Sequence, residues 1–325
     1  MNEAVFIRRN IEKWRRMEMM EGDDVFTTPD EMVNAYNDIT SDLAFAQTHY
    51  PDSPITTYLN DIALGLHRDL YRHKHTTARQ MLRFWTHEIP LAVYDARKAL
   101  LLSLVIFILS TLVGVVSTLG DPEFPRLILG DDYVNMTEEN IRNGEPMAVY
   151  AQGPQLGSFL DITLNNVLIS FKVYVYGLFT SFGSGLFLLF NGVMFGSFMM
   201  FFIGRGLLVQ SFLAVMLHGT LELSAIVIAG GAGIMLGNGW LFPGTYGRLE
   251  SFLRAGRRSI KVLVSTIPIF ITAGFIEGYF TRFTHVGDLW RLMVILLSAA
   301  FVVFYYVILP VRRHRESTAY ENLSV

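Results

Sequence analysis

The sequence contains no cysteine among its 325 residues, so disulfides and thiolate metal sites are excluded, and cysteine usage gives no reading of the redox compartment. Charge is scarce as well. Asp, Glu, Lys and Arg together make up 17% of the chain, against roughly 25% in an ordinary soluble domain. The first twenty residues, MNEAVFIRRNIEKWRRMEMM, have no apolar core of the secretory type and carry charges at helical spacing, so no cleaved leader is expected and the N-terminus is expected to stay in the cytoplasm. No H-E-x-x-H motif and no nucleophile-plus-base constellation stands out, and the glycines of GGAGIMLGNG lack the strand–turn–helix setting of a dinucleotide loop. The expectation is therefore a protein that is not an enzyme and holds no cofactor or metal.

Apolar length is what the sequence does have. Hydrophobic residues make up 51% of the chain, with 25 Phe, 14 Met and 27 Gly, and the mean hydropathy is +0.36. Apolar stretches near 99–119, 164–181, 184–203, 210–236, 259–280 and 289–310 each reach the length of about 20 residues that matches a hydrocarbon core of roughly 30 Å. The fold class expected is all-α: a polytopic helical membrane protein with about six transmembrane helices. The second stretch is the weakest, because Asn165, Asn166 and Lys172 make it polar.

Residues 1–98 are of another kind, with 12 Lys/Arg and 15 Asp/Glu and apolar positions at three- and four-residue intervals, as in a soluble amphipathic helical region. Thr28 with Pro29 reads as a helix start and YPDSP as a break. His67, His73 and His75 fit no zinc spacing and read as a solvated basic face or a phospholipid contact. The segment ARQMLRFWTHEIPLAVYDARKA mixes basic and aromatic residues in the way of a helix lying among headgroups.

Orientation follows the distribution of Lys and Arg. Residues 120–158 hold two arginines against seven acids, whereas 239–261 hold Arg248, Arg254, Arg257, Arg258 and Lys261 against Glu250. The first loop is expected outside, the second inside, and the tail 311–325, with its arginines, inside as well. The expected organisation is a cytoplasmic region 1–98, a bundle 99–310 with an extracytoplasmic loop 120–158, and a cytoplasmic tail, all in a bacterial cytoplasmic membrane. Arg205, placed outside, is an exception to the charge rule.

The stretch LHGTLELSAIVIAGGAGIMLG puts ionisable residues inside apolar sequence. At 100° per residue, His218, Glu222, Ala225, Ala229 and Gly233 share one helix face, continued by Gly237, and small residues recur at Gly192 and Gly196. Small residues let membrane helices approach closely, where packing and hydrogen bonds hold them together. A charge in lipid costs about 2.5 kcal/mol or more, so His218 and Glu222 should face protein or a wet cavity. Asn191 is expected at the same depth as Glu222 and a candidate neighbour. Glu277 lies nearer the outer surface and reaches His218 only if the helices tilt suitably. Three readings stand: a structural hydrogen-bond network, a proton or ion pathway through Asn191, His218, Glu222 and Glu277, and a metal or enzymatic role, which would need about three protein ligands.

Several landmarks in order, FIRRNIEKWRRME, AYNDITSDLAFAQTHYPDSPITTYLNDIALGLHRDLY, the pair Asn165-Asn166, FNGVMFG, and LHGTLELSAIVIAGGAGIMLG with Pro243 downstream, make the chain resemble the stage II sporulation protein M family of bacterial membrane proteins. The resemblance implies a membrane scaffold: the family's founding member anchors peptidoglycan-degrading enzymes at an engulfing septal membrane. The long N-terminal region and the acidic 120–158 loop depart from that short founding type. The expected partners are the lipid bilayer and other membrane or envelope proteins, with self-association through the small-residue faces and no nucleic acid. The function expected is a scaffold for an envelope complex, and the alternative is a proton- or ion-conducting channel or transporter.

Overall fold

A computed structural model describes residues 2–19, 29–71, 78–151, 155–281 and 287–323, and among these residues the secondary structure is helical throughout, with no strand. The chain divides into two compact units, Met1–Thr77 and Ala78–Val325. The capping position Thr28 and the histidines His73 and His75 lie outside the described residues.

In the first unit, helices α1 (Glu3–Met19), α2 (Pro29–His49) and α3 (Pro54–Tyr71) bury one apolar face each. Their shared core holds Phe6, Trp14, Ile39, Leu59 and Leu66. Large rings dominate it, with Phe6 meeting Trp14 edge-on at 5.2 Å between centroids. Trp14 is fully buried, and its indole N–H donates to Asp42 Oδ2 at 2.8 Å, which satisfies the one polar atom that burial would otherwise strand. Lys13 pairs with the same carboxylate. The ring of His67 lies beside Tyr36, 5.8 Å between centroids.

The second unit holds six helices long and apolar enough to cross a membrane: Ala78–Gly120, Gln155–Phe179, Ser181–Ile203, Leu208–Leu241, Arg248–Thr281 and Asp288–Ala319, here the first to sixth spans. The fourth is central. Its most apolar window is 67% buried, against 17% for the sixth, which explains why the fourth span is rich in Gly and Ala on several faces while the sixth shows lipid a wall of Leu, Met and Phe.

Small residues set the spacing between spans. A side chain at Gly196 would run into the backbone of Thr111, one at Gly192 into Ser110 and the Phe107 carbonyl, and one at Gly114 into the Val193 carbonyl, so the first and third spans touch backbone to backbone. Hydroxyls then bridge the helices. Ser103 donates to the Val227 carbonyl at 2.6 Å, Thr118 to Ser197 Oγ at 3.0 Å, and Ser184 to the Val173 carbonyl at 2.7 Å.

The segment expected to lie among headgroups is continuous with the first span. Residues 78–120 form one continuous helix, and Ile89, Pro90, Val93 and Ala96 are buried in the bundle core. A π-helical turn at Phe84–Glu88 marks the transition, and its cause is local. Pro90 has no N–H to offer the Thr86 carbonyl four residues earlier, and Arg313 Nε donates to that carbonyl instead, at 2.9 Å. Tyr305 of the sixth span donates to the neighbouring Trp85 carbonyl at 2.7 Å. Tyr305 itself sits in a second π turn, Phe304–Ile308, one residue ahead of the Leu309-Pro310 bond.

The described residues of the 120–158 loop include helices at Phe124–Leu129 and Asp131–Arg142. Val134 packs with Phe201 and Phe202 at the end of the third span. Glu138 accepts from Arg205 at 2.7 Å and from Arg126 at 3.2 Å, and the Arg205 guanidinium lies 3.6 Å from the Phe201 ring centroid. The acidic loop thus supplies Arg205 with its counter-ion.

Candidate functional site

The fourth span carries His218 and Glu222 one turn apart, so both project from the same face. The fifth span ends in a π-helical turn, Ile276–Thr281, which carries Glu277 and Thr281. Glu277 lies three residues after Gly274, near the start of this turn, and meets the fourth span. His218 Nε2 lies 3.8 Å from Glu277 Oε2, and one ligand-type atom from each of His218, Glu222 and Glu277 lies within 4.8 Å of the others.

Two further residues orient the three. Asn166, on the second span, donates from Nδ2 to Glu222 Oε1 at 2.6 Å. Thr281 Oγ1 stands 3.3 Å from His218 Nδ1 and donates its own proton to the Ile276 carbonyl, also at 3.3 Å. A hydroxyl whose proton goes to Ile276 can accept from Nδ1–H, and in that tautomer the Nε2 lone pair faces Glu277.

The site is enclosed by close helix approach. The His218 side chain is 6% exposed and that of Glu277 17%. Gly274 and Gly278 meet Thr163 and Phe159 of the second span where any Cβ would collide, which is what lets Asn166 reach Glu222. The Thr163 hydroxyl, buried against Gly274, has no hydrogen-bond partner.

The residues singled out from sequence fall into two groups. His218, Glu222 and Glu277 come together. Asn191 does not join them: it donates to the Phe187 carbonyl of its own helix at 2.8 Å, and the amide beside Glu222 belongs to Asn166. The expectation of Asn191 rested on depth alone, whereas the neighbouring Gly192 shows that this part of the third span faces the first. Ala225 and Ala229 are fully buried, Gly233 packs on Ser184 and the Val173 carbonyl, and Gly237 on Ser181 and the Gly177 carbonyl. The small-residue stripe is thus occupied by the chain's own second and third spans. Thr281 escaped the sequence reading because a threonine near a helix end carries no signal of its own. Asn166 left one, as a polar residue early in a weak span.

Comparison with known proteins covers both units. Residues 103–282 match the family described as Stage II sporulation protein M, and residues 4–72 match a domain of unknown function, DUF8413. The uncharacterized protein MJ0706 of Methanocaldococcus jannaschii is similar at 24% identity over 189 residues, covering 57% of this chain and 82% of that protein. No solved structure matches the chain. The helices that frame the His218–Glu222–Glu277 cluster lie almost wholly within the matched segment, and the chain belongs to the stage II sporulation protein M family.

Proposed function

We propose that this membrane protein handles protons or cations at a site inside the bilayer, with both termini on the cytoplasmic side of a cytoplasmic membrane. The observation that carries the reading is the convergence of His218, Glu222 and Glu277 from two spans on one enclosed point. Ionisable groups within spans are costly, face the bundle interior and mark ion paths and proton relays. A π turn at Glu277 fits the same reading, since such turns recur at functional sites. Asn166 and Thr281 supply the hydrogen bonds that hold the groups in place. The orientation rests on the Lys/Arg-rich 239–261 segment and on the acidic 120–158 segment, which holds Arg205 to itself.

The test is flux. Reconstituted in liposomes with an internal pH dye, the wild type should dissipate an imposed proton or cation gradient, and Glu222→Gln should slow this at least tenfold while eluting as the wild type does in size-exclusion chromatography. Equal flux in both proteins, or none above empty liposomes, would refute the reading.

A second reading, a scaffold for an envelope complex, is favoured by a different observation. The 120–158 segment is a built surface, with Arg126, Glu138 and Arg205 tying its helices to the third span. Under this reading, mild-detergent purification from native membranes recovers a defined partner whose retention survives Glu222→Gln and is lost on replacing residues 131–142.

A further inference from the structure

We propose that His218, Glu222 and Glu277 bind one divalent cation of the zinc class, with Asn166 and Thr281 as positioning residues. The inference deepens the cation-handling reading, using the same cluster, and names the ion it takes.

The argument begins with the donor set. An imidazole nitrogen and two carboxylates suit zinc and its first-row neighbours, whereas magnesium and calcium take oxygen alone. Three protein ligands with a position left over is the open form of a zinc site.

Geometry comes next. In the tetrahedral arrangement, zinc–nitrogen and zinc–oxygen distances of about 2.0–2.2 Å put two ligands of one ion about 3.4 Å apart. The 3.8 Å between His218 Nε2 and Glu277 Oε2 is close to that spacing, and the whole set, within 4.8 Å, draws together on a bound ion by side-chain rotation.

The hydrogen bonds around the cluster suit the same ion. A metal-bound histidine almost always donates its other ring N–H to an oxygen, and ligating carboxylates are held by hydrogen bonds of their own. Thr281 and Asn166 do these two jobs.

Net charge supplies the last step. A neutral imidazole and two carboxylates sum to −2, and a divalent cation brings the enclosed site to zero, the state that a low-dielectric surrounding favours.

The experiment uses the full-length chain, tag removed, in mild detergent. After chelation and exposure to Zn2+, Mn2+ or Mg2+ in turn, followed by desalting, elemental analysis gives metal per chain. About one Zn2+ is expected to be retained, with Mg2+ absent. Glu277→Gln and His218→Asn should weaken retention at least tenfold. Thr281→Val leaves all three ligands in place and should weaken affinity about 10–100-fold, and Asn191→Ala should leave it unchanged. Co2+ in place of Zn2+ should give visible absorption bands that are lost in Glu277→Gln. If His218→Asn does not fold, Thr281→Val and Glu277→Asp decide the question. No stoichiometric Zn2+ in the wild type, or equal retention in ligand variants that elute like the wild type, overturns the proposal. Binding without flux would refute the transport reading and leave the site standing, whereas flux without binding would do the reverse.

Discussion

The two units of this chain solve the problem of burial in opposite ways. In the N-terminal unit the contact residues are large, Phe6, Trp14, Ile39 and Leu66, because in water the removal of apolar surface is the driving force and rings supply most of it. In the bundle the tightest contacts are made by Gly114, Gly192, Gly196, Gly233 and Gly237, with hydroxyls bridging at Ser103, Thr118 and Ser184. Lipid already solvates leucine, so helices gain little by hiding it. They gain by backbone proximity and hydrogen bonding, and bulky apolar residues face outward.

The comparison can be broken most directly at Trp14. Trp14→Ala should cost the N-terminal unit about 3–5 kcal/mol, through the lost ring and its hydrogen bond to Asp42. Hydrogen exchange of the α2 and α3 amides in the full-length protein reads this as lost protection. Retention of wild-type protection would mean that the ring core does not hold the unit together.

The opposite substitution tests the bundle. Gly196→Leu adds apolar surface, which would be neutral or helpful if hydrophobic burial ruled there. Because the neighbour is the Thr111 backbone rather than a yielding side chain, the expected outcome is a destabilisation of about 1–3 kcal/mol, read as an earlier thermal transition in detergent. An unchanged transition would show that the first and third spans can part at no cost.

A smaller effect sharpens the contrast on the aqueous side. Tyr58 donates to Glu18 Oε2 at 2.8 Å, and burial, followed by that carboxylate, pushes its hydroxyl up to about 12. The folded value lies above the unfolded one near 10, so the contribution is complete below pH 10 and is lost as the pH rises toward 12. The difference in ultraviolet absorbance titration between the wild type and Tyr58→Phe should contain one phenol titrating near 12. A difference curve centred at 10 would remove Glu18 from the account.

The legible part of the fold was its inventory. Six apolar lengths, a charged N-terminal region and an acidic loop could all be read, because composition decides whether a segment favours water or lipid. Register was harder. The Arg, Trp and Tyr of residues 78–98 do not reveal that Ile89, Val93 and Ala96 are buried in the bundle, because that burial depends on partners from distant spans. Glu277 shows the same effect. Its place nearer the outer surface put it away from His218 unless the helices tilted, and the packed helices bring the two within 3.8 Å.

What the sequence alone determined is which residues lipid could not accept bare: His218, Glu222 and Glu277 had to turn toward protein because an ionisable group costs too much facing acyl chains. What only the tertiary structure decided is which groups they meet there. Asn166 took the place expected for Asn191, and Thr281 stands beside the imidazole's Nδ1. Such partnerships depend on how closely helices approach and how each is rotated, quantities set by Gly274, Gly278 and a π turn acting across chain segments over a hundred residues apart.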